Sequence, residues 1–287
     1  MEWPRNAVRN EKQDRCMIVP MKLWISIAIA AIAAFTLALG GCASPLAFTR
    51  PVVLLGEVHD NAAQHALRLR AVQTWLAQGA RPALLMEQFD RTRQADIDRL
   101  RTHATPPSAD AVIDAGRPGR QGWDWAYYKP FIELALKNKL PIVAVNVGRD
   151  EALTVIREGL SAAGFDDRVP PQVLQAQTTV VQNSHCGMID EKMAARMALA
   201  QVARDQFMAR AIEAQGGGEV LLLAGNGHVR KDIGVAQWLS PATRARTQAI
   251  GVLEDGSENA QAYDSAVFTP AQPRSDPCAT MKPPATR

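Results

Sequence analysis

Excess charge is what this sequence lacks most plainly. After Cys42 it carries 27 Lys and Arg against 26 Asp and Glu, so the formal +3 of the full chain owes much to its first residues. That balance implies no cationic surface for nucleic acid. No internal repeat of about 20–50 residues is visible, which excludes solenoid and propeller arrays. Cysteine is scarce, with four in 287 residues, and tyrosine scarcer, with three: Tyr127, Tyr128 and Tyr263. Chemistry that needs a phenolate therefore has three places to reside.

Against those absences stands a targeting segment. The uncharged residues 23–39 follow Met21-Lys22 and precede Gly40-Gly41-Cys42, the pattern of a signal-peptide apolar region with small residues at the cleavage point. Met21 begins a complete signal by itself, so residues 1–20 read as a mis-assigned start or an extended leader. Leu39-Gly40-Gly41-Cys42 resembles the bacterial lipobox, which implies that Cys42 is lipidated and becomes the first mature residue. The alternative is an uncleaved anchor, because such a run lies near the lower limit for spanning a bilayer. The expected location is the cell envelope, lipid-anchored in the outer membrane and facing the periplasm. In that oxidising compartment Cys186 and Cys278 are natural disulfide partners, the alternative being two free thiols.

Past the leader, about 240 residues suffice for a full core. Short apolar runs at 52–55, 83–87, 142–146, 219–224, 249–253 and 266–268 alternate with helical patterns, the signature of an α/β fold whose central, mostly parallel sheet is flanked by helices. The first and fourth runs are apolar at successive positions, which requires cover on both faces. Helices are expected at 61–78, 128–139 and 188–214, the last with a core stripe of Met193, Met197, Ala200, Phe207 and Ala211. The organisation predicted is a leader over 1–41, a linker over 42–49, an α/β domain over 50–270 and a Pro-rich tail over 271–287. Within the domain, residues 102–128 read as a lid or small helical subdomain.

Two runs end alike. Val52-Val53-Leu54-Leu55 enters Gly56-Glu57-Val58-His59, and Val220-Leu221-Leu222-Leu223-Ala224 enters Gly225-Asn226-Gly227-His228, while the run between them ends in Glu87. In an open parallel sheet all carboxyl ends lie on one edge, where such folds place ligands. The glycines, Gly56 and Gly225, permit a tight departure and a close approach of backbone to ligand. His59 and His228 with Glu57 or Glu87 would form a two-histidine, one-carboxylate site for a divalent ion such as zinc, manganese or cobalt. Asp60, Asn61 and Asn226 are available to orient the imidazoles. The plainer alternative is a pair of histidines hydrogen-bonded to loop backbone.

These paired segments and Glu87 resemble the signature of the Tiki superfamily. Within it the lipobox, Ser184-His185-Cys186-Gly187, Ala200-Gln201 and Arg204-Asp205-x-x-Met208-Ala209 are similar to the ChaN-like lipoproteins. The resemblance spans about residues 50–270. It implies a haem-binding lipoprotein of haem and iron uptake, with an outer-membrane haem receptor or transporter as partner. It further implies a homodimer, haem being held through a tyrosine at the face between two subunits; tyrosinate is a recognised axial ligand. Tyr127 or Tyr128 is then the expected ligand, beside Trp123 and Trp125 as stacking partners. Other Tiki members are metal-dependent peptidases or hydrolases, which would make one of Glu57 and Glu87 a metal ligand and the other a general base.

Four positions complete the reading. His65 falls in the following helix and reads as a surface histidine. His185 beside Cys186 is a candidate haem or metal ligand. Arg204 and Asp205 read as a buried ion pair bracing the site or as a solvated face. Arg149, after the third run, is a candidate clamp for a haem propionate or substrate carboxylate.

Overall fold

The computed structural model describes residues 46–102, 105–117 and 122–280. The leader and Cys42 lie outside them. Six strands, β1 (Val52–Leu55), β2 (Ala83–Asp90), β3 (Ile142–Asn146), β4 (Val220–Leu223), β5 (Thr247–Glu254) and β6 (Ser265–Thr269), form one sheet in the order β3-β2-β4-β1-β5-β6. Every pairing is parallel. The central strands bury both faces by alternation. Val53, Leu55, Leu84, Met86, Leu221 and Leu223 point to one side, and Val52, Leu54, Ala83, Leu85, Val220 and Leu222 to the other. Each such side chain withdrawn from water is worth about 1.5–3 kcal/mol before the entropy of ordering is deducted.

One face is covered by α1 (Ala62–Ala77), α2 (Gln94–Arg101), α3 (Ala109–Gly116) and α4 (Trp125–Lys137). The other is covered chiefly by α7 (Glu191–Glu213), against which α5 (Arg149–Glu158) and α6 (Pro171–Ser184) pack. Short helices α8 (Asn226–Val229), α9 (Pro241–Ala245) and α10 (Pro277–Thr280) complete the chain. Local chemistry fixes several helix starts. Asn61 accepts from the Gln64 amide at the head of α1 and Asp190 from the Met193 amide at the head of α7, satisfying donors that a helix N-terminus otherwise leaves free. Pro171 opens α6 at a position where its missing N–H costs nothing.

The structure departs from the sequence reading in two places. The α7 stripe holds in part: Ala200 and Ala211 are buried and Phe207 packs against the core, but Met193 is exposed and Met197 half-buried, while Ala194, Ala198, Val202, Ala203, Met208 and Ile212 also face inward. Alanines allow α6 to approach closely at Val181, so small size outweighs hydrophobicity there. The linker is partly fixed, because Leu46 is buried and Phe48 packs edge-on against Trp75 at 5.2 Å. Within the described part of 102–128, α3 and the start of α4 give the helical alternative to a lid, and Val112 and Ile113 of α3 join it to the core.

Candidate functional site

Because β4 lies between β2 and β1, the residues at the ends of these three strands meet. Gly56 is where the loops cross. A Cβ there would sit 2.2 Å from Asn226 Oδ1 and 3.0 Å from the Ile250 carbonyl, a space that only glycine leaves open. The loop after β1 then carries Glu57 inward and His59 over a cleft of about 790 Å³, within the usual range for small-molecule sites. His59, Glu87, Trp123, Asn146, Arg204 and His228 are among its lining residues.

Glu57 is buried beneath the cleft. Its Oε1 accepts from His59 Nδ1 at 2.7 Å and from the Tyr128 hydroxyl at 2.5 Å. Its Oε2 takes the guanidinium of Arg68, which is itself fully buried. Burial pulls the Arg68 guanidinium down to about 10, so it stays charged and balances the carboxylate. His59 is thereby held with Nδ1 as donor and Nε2 as the lone-pair atom. Burial lowers its pKa, with the charge of Glu87 opposing, and the ring is neutral at physiological pH. Trp123 stands edge-on to it with centroids 4.6 Å apart, and the ring's Cε1 would lie 3.0 Å from a Cβ on Gly225.

The second histidine is in the opposite charge state. His228 Nδ1 meets Asp205 Oδ1 at 2.6 Å, and Nε2 faces Glu87 Oε1 at 3.5 Å. Burial alone would lower this imidazole, but the two carboxylates outweigh it and push it up to about 10. Burial raises Asp205 to about 6, against the pull of His228. Burial also works to raise Glu87, yet His228, His59 and the Gly225 N–H at 2.7 Å bring it down to about 2. At neutral pH His228 is therefore an imidazolium clamped between two carboxylates.

The divalent-metal expectation for His59, His228, Glu57 and Glu87 finds no support in this arrangement. Among the described residues no three His, Cys, Asp or Glu are grouped to hold a metal ion. Both nitrogens of His228 face carboxylates, Asp205 and Glu87, and the Glu57 oxygens are engaged by Arg68, Tyr128 and His59.

The orienting residues also differ from expectation. Asp60 pairs with Arg274 at 2.6 Å, away from both rings. Asn61 binds Glu254 and the Pro270 carbonyl, and Asn226 locks its loop to Val252 on β5. Glu57 and Asp205 do the orienting instead. Arg204 and Asp205 do not pair; Arg204 Nε donates to Asn146 Oδ1 at 3.2 Å, while Asp205 takes His228 and Gln177.

None of the three tyrosines lines the cleft. Tyr128 is fully buried beneath Glu57, and burial raises its phenol pKa above the ordinary value, which disfavours the tyrosinate form. Tyr127 stacks on His65 at 4.5 Å, and the Tyr263 hydroxyl donates to the Asn226 carbonyl. Trp125 stacks on Phe89 rather than facing the cleft. Arg149 is exposed at the start of α5 and does not line the cleft, and His185 turns its Nδ1 to the Val181 carbonyl at 2.8 Å. Cys186 and Cys278 are joined in a disulfide.

Sequence reasoning missed Arg68, and His65 is buried where a surface position was expected. The signal was present: Asn61, Gln64, His65 and Arg68 are polar at helical spacing on one buried face of α1. A second stripe, Gln177, Val181 and Ser184 on α6, forms the far wall of the cleft.

Comparison with known proteins follows from this geometry. A family model described as haem-binding uptake, Tiki superfamily, ChaN matches residues 47–239. Among solved structures, ChaN of Campylobacter jejuni, described for its cofacial haem binding, is similar at 20% identity with a TM-score of 0.61, over 76% of this chain and 86% of that one. That likeness bears on the fold alone. The erythromycin esterase EreC, a mutant in its open conformation, aligns at 13% identity and TM-score 0.45 over 72% and 71% of the two chains. A Bacillus cereus protein aligns at 15% and 0.40 over 71% and 65%. No curated protein matches the sequence.

Proposed function

The chain belongs to the ChaN family of haem-binding uptake proteins in the Tiki superfamily, and from that premise we propose that it is a haem-binding lipoprotein of the cell envelope, acting in haem and iron uptake. The observation that carries this reading is the extent of the family match. Residues 47–239 include both Gly-x-x-His segments and Glu87, so the match covers the cleft itself.

The residues present fit haem. Bound there, the group would supply an iron centre that takes an axial donor from the protein. His59 is the donor the cleft offers: its Nδ1 is tied to Glu57, which leaves Nε2 as the ligating atom and fixes the ring. Its side chain is half-exposed toward the cleft. Trp123 and Val180 provide apolar surface for a flat ligand. The cleft favours imidazole ligation by His59 over the tyrosine expected from the family resemblance, because Tyr128 is buried beneath Glu57 and Tyr127, whose ring stacks on His65, does not line the cleft.

Hemin titration of the purified soluble domain tests the reading. A saturable, shifted Soret band is expected from the native sequence, with loss of the axial-ligand signature in His59→Ala and its retention in Tyr127→Phe. A spectrum that remains that of free hemin would remove the haem assignment. Lipid attachment at Cys42 is tested separately by labelling with a fatty-acid analogue, which Cys42→Ala should abolish. Sedimentation with and without hemin addresses the homodimer.

A further inference from the structure

The edge of the sheet opposite the cleft carries a charge that the haem reading does not use. Because every strand pairing is parallel, the segments that lead into the strands gather at one amino edge. Backbone bonds knit them together there, from Val52 N to the Arg246 carbonyl, Val220 N to Pro51, Ala83 N to Glu219 and Leu84 N to Pro141. Four of these entries hold a cation within three residues of the strand: Arg50 before β1, Arg81 before β2, Lys139 before β3 and Arg246 before β5. β4 is entered from a carboxylate, Glu219, whose Oε2 takes the backbone N–H of Arg81 at 2.6 Å. β6 begins three residues further along, with Ser265 paired to Ile250.

Arg50, Arg81 and Lys139 are exposed and Arg246 is half-buried. Arg50 donates to the Thr247 carbonyl, Arg81 to those of Leu76 and Ala80, and Arg246 to that of Gly217. Such bonds orient a guanidinium without cancelling its charge, and among the described residues none of the four cations is in a salt bridge. At the carboxyl edge, by contrast, Arg91, Arg230 and Arg274 are all paired with acids. A chain that is near neutral after Cys42 thus concentrates unmatched positive charge on one side.

The same side receives the N-terminal segment. Gln248, the second residue of β5, donates to the Ala47 carbonyl and accepts from the Thr49 N–H, while Phe48 packs on Trp75 near the end of α1. Ala47 follows Cys42 by five residues, a distance of at most about 18 Å at full extension. A lipid on Cys42 therefore keeps this edge near the bilayer. An anionic lipid surface attracts cations that come within a Debye length of it, about 8–10 Å.

We infer that the amino edge, through Arg50, Arg81, Lys139 and Arg246, rests on an anionic phospholipid surface, so that the cleft at the opposite edge opens away from the membrane. This rests on the lipoprotein reading for its tether, whereas the basic edge exists without the lipid.

Two measurements test it. The lipidated mature protein is placed in vesicles containing phosphatidylglycerol and, separately, in vesicles of phosphatidylcholine alone, and hydrogen exchange is compared. Exchange should slow with phosphatidylglycerol at 78–82, 138–141 and 214–219 and stay unchanged at 56–61 and 122–125. In parallel, residues 42–287 with Cys42→Ser, which retain every described element, are sedimented with the same vesicles at low salt. Binding should require phosphatidylglycerol and fall as salt rises. Arg81→Gln with Lys139→Gln should weaken it about 25-fold, or fivefold for each cation, with an unchanged melting curve. Protection at 56–61 in place of the amino edge, equal binding to the two vesicles, or undiminished binding by the double variant would overturn the inference. Protection of the edge that grows with protein concentration in the absence of vesicles would assign it to a second copy and overturn it too. If Cys42 carries no lipid while the Cys42→Ser chain binds as expected, the lipoprotein reading falls and the basic surface stands; a lipidated chain indifferent to phosphatidylglycerol gives the reverse.

Discussion

Glu57 shows how much one side chain carries at the residue scale. It neutralises Arg68, fixes the tautomer of His59 and accepts from Tyr128, all out of contact with water. Removing its charge strands a guanidinium that is still protonated. Glu57→Gln should therefore cost about 3–5 kcal/mol in urea denaturation, far more than the roughly 1.5–3 kcal/mol expected for Tyr128→Phe, which loses one bond to a charged group. His228 makes a pH-dependent contribution. Its value rises from 6.5 to about 10 on folding, so the stability it supplies is complete below pH 6.5 and fades as the pH climbs toward 10. Glu87 falls from 4.5 to about 2, and its contribution is present above 4.5 and lost as the pH drops toward 2. His228→Asn should lower stability by about 3 kcal/mol at pH 6.5. The difference from the native protein should shrink in denaturation curves taken toward pH 10. The figure sits at the low end because Asp205, already raised to about 6, can take up a proton when its partner is gone.

At the scale of elements, strand position decides which sequence motifs become neighbours. The Gly-x-x-His segments sit beside each other because β1 and β4 are paired from Val52–Val220 to Leu55–Leu223, and Glu87 joins them from β2 across β4. At Gly225 the backbone approaches both: a Cβ there would press on the His59 ring at 3.0 Å with Glu87 Oε2 3.7 Å away. Gly225→Ala should leave the fold cooperative, since the half-exposed ring can yield, yet weaken hemin binding several-fold in the titration. Unchanged affinity would show that the ring's position against β4 is unimportant to the ligand. Helix faces were less legible than strands. The α7 stripe held at Ala200 and Ala211 and failed at Met193 and Met197, because the first half of the helix packs through Ala194 and Ala198, which let α6 draw near. The buried polar face of α1 carried a readable period, although its polar residues suggested solvent rather than a charged core.

At the scale of the whole described domain, the segment after β6 ties its parts together. Arg274 bridges Asp60 and Glu254, Asn61 holds the Pro270 carbonyl, and Cys278 is bonded to Cys186 in the turn between α6 and α7. The tail thus links the loop that carries His59 to the helix pair that forms the opposite wall of the cleft. The bridge joins residues 92 apart, for which loop-closure entropy gives on the order of 4–5 kcal/mol. Cys278→Ser, or reduction of the native protein, should lower the unfolding free energy by an amount approaching that figure. Faster hemin dissociation in stopped-flow exchange is also expected, because the α6–α7 wall is no longer tied. A dissociation rate unchanged on reduction would confine the bridge to a stabilising role.

The sequence by itself determined the strands, their burial on both faces and the glycines that end two of them, because apolar runs and turn residues are local properties of the chain. Only the tertiary structure decided the charge state and partners of each polar residue. Those depend on which side chains meet across distant segments: Arg68 under Glu57, Asp205 against His228, and Arg204 turned to Asn146. Coulombic and desolvation energies act through space, so positions far apart in sequence fix whether a histidine becomes a ligand or a buried cation.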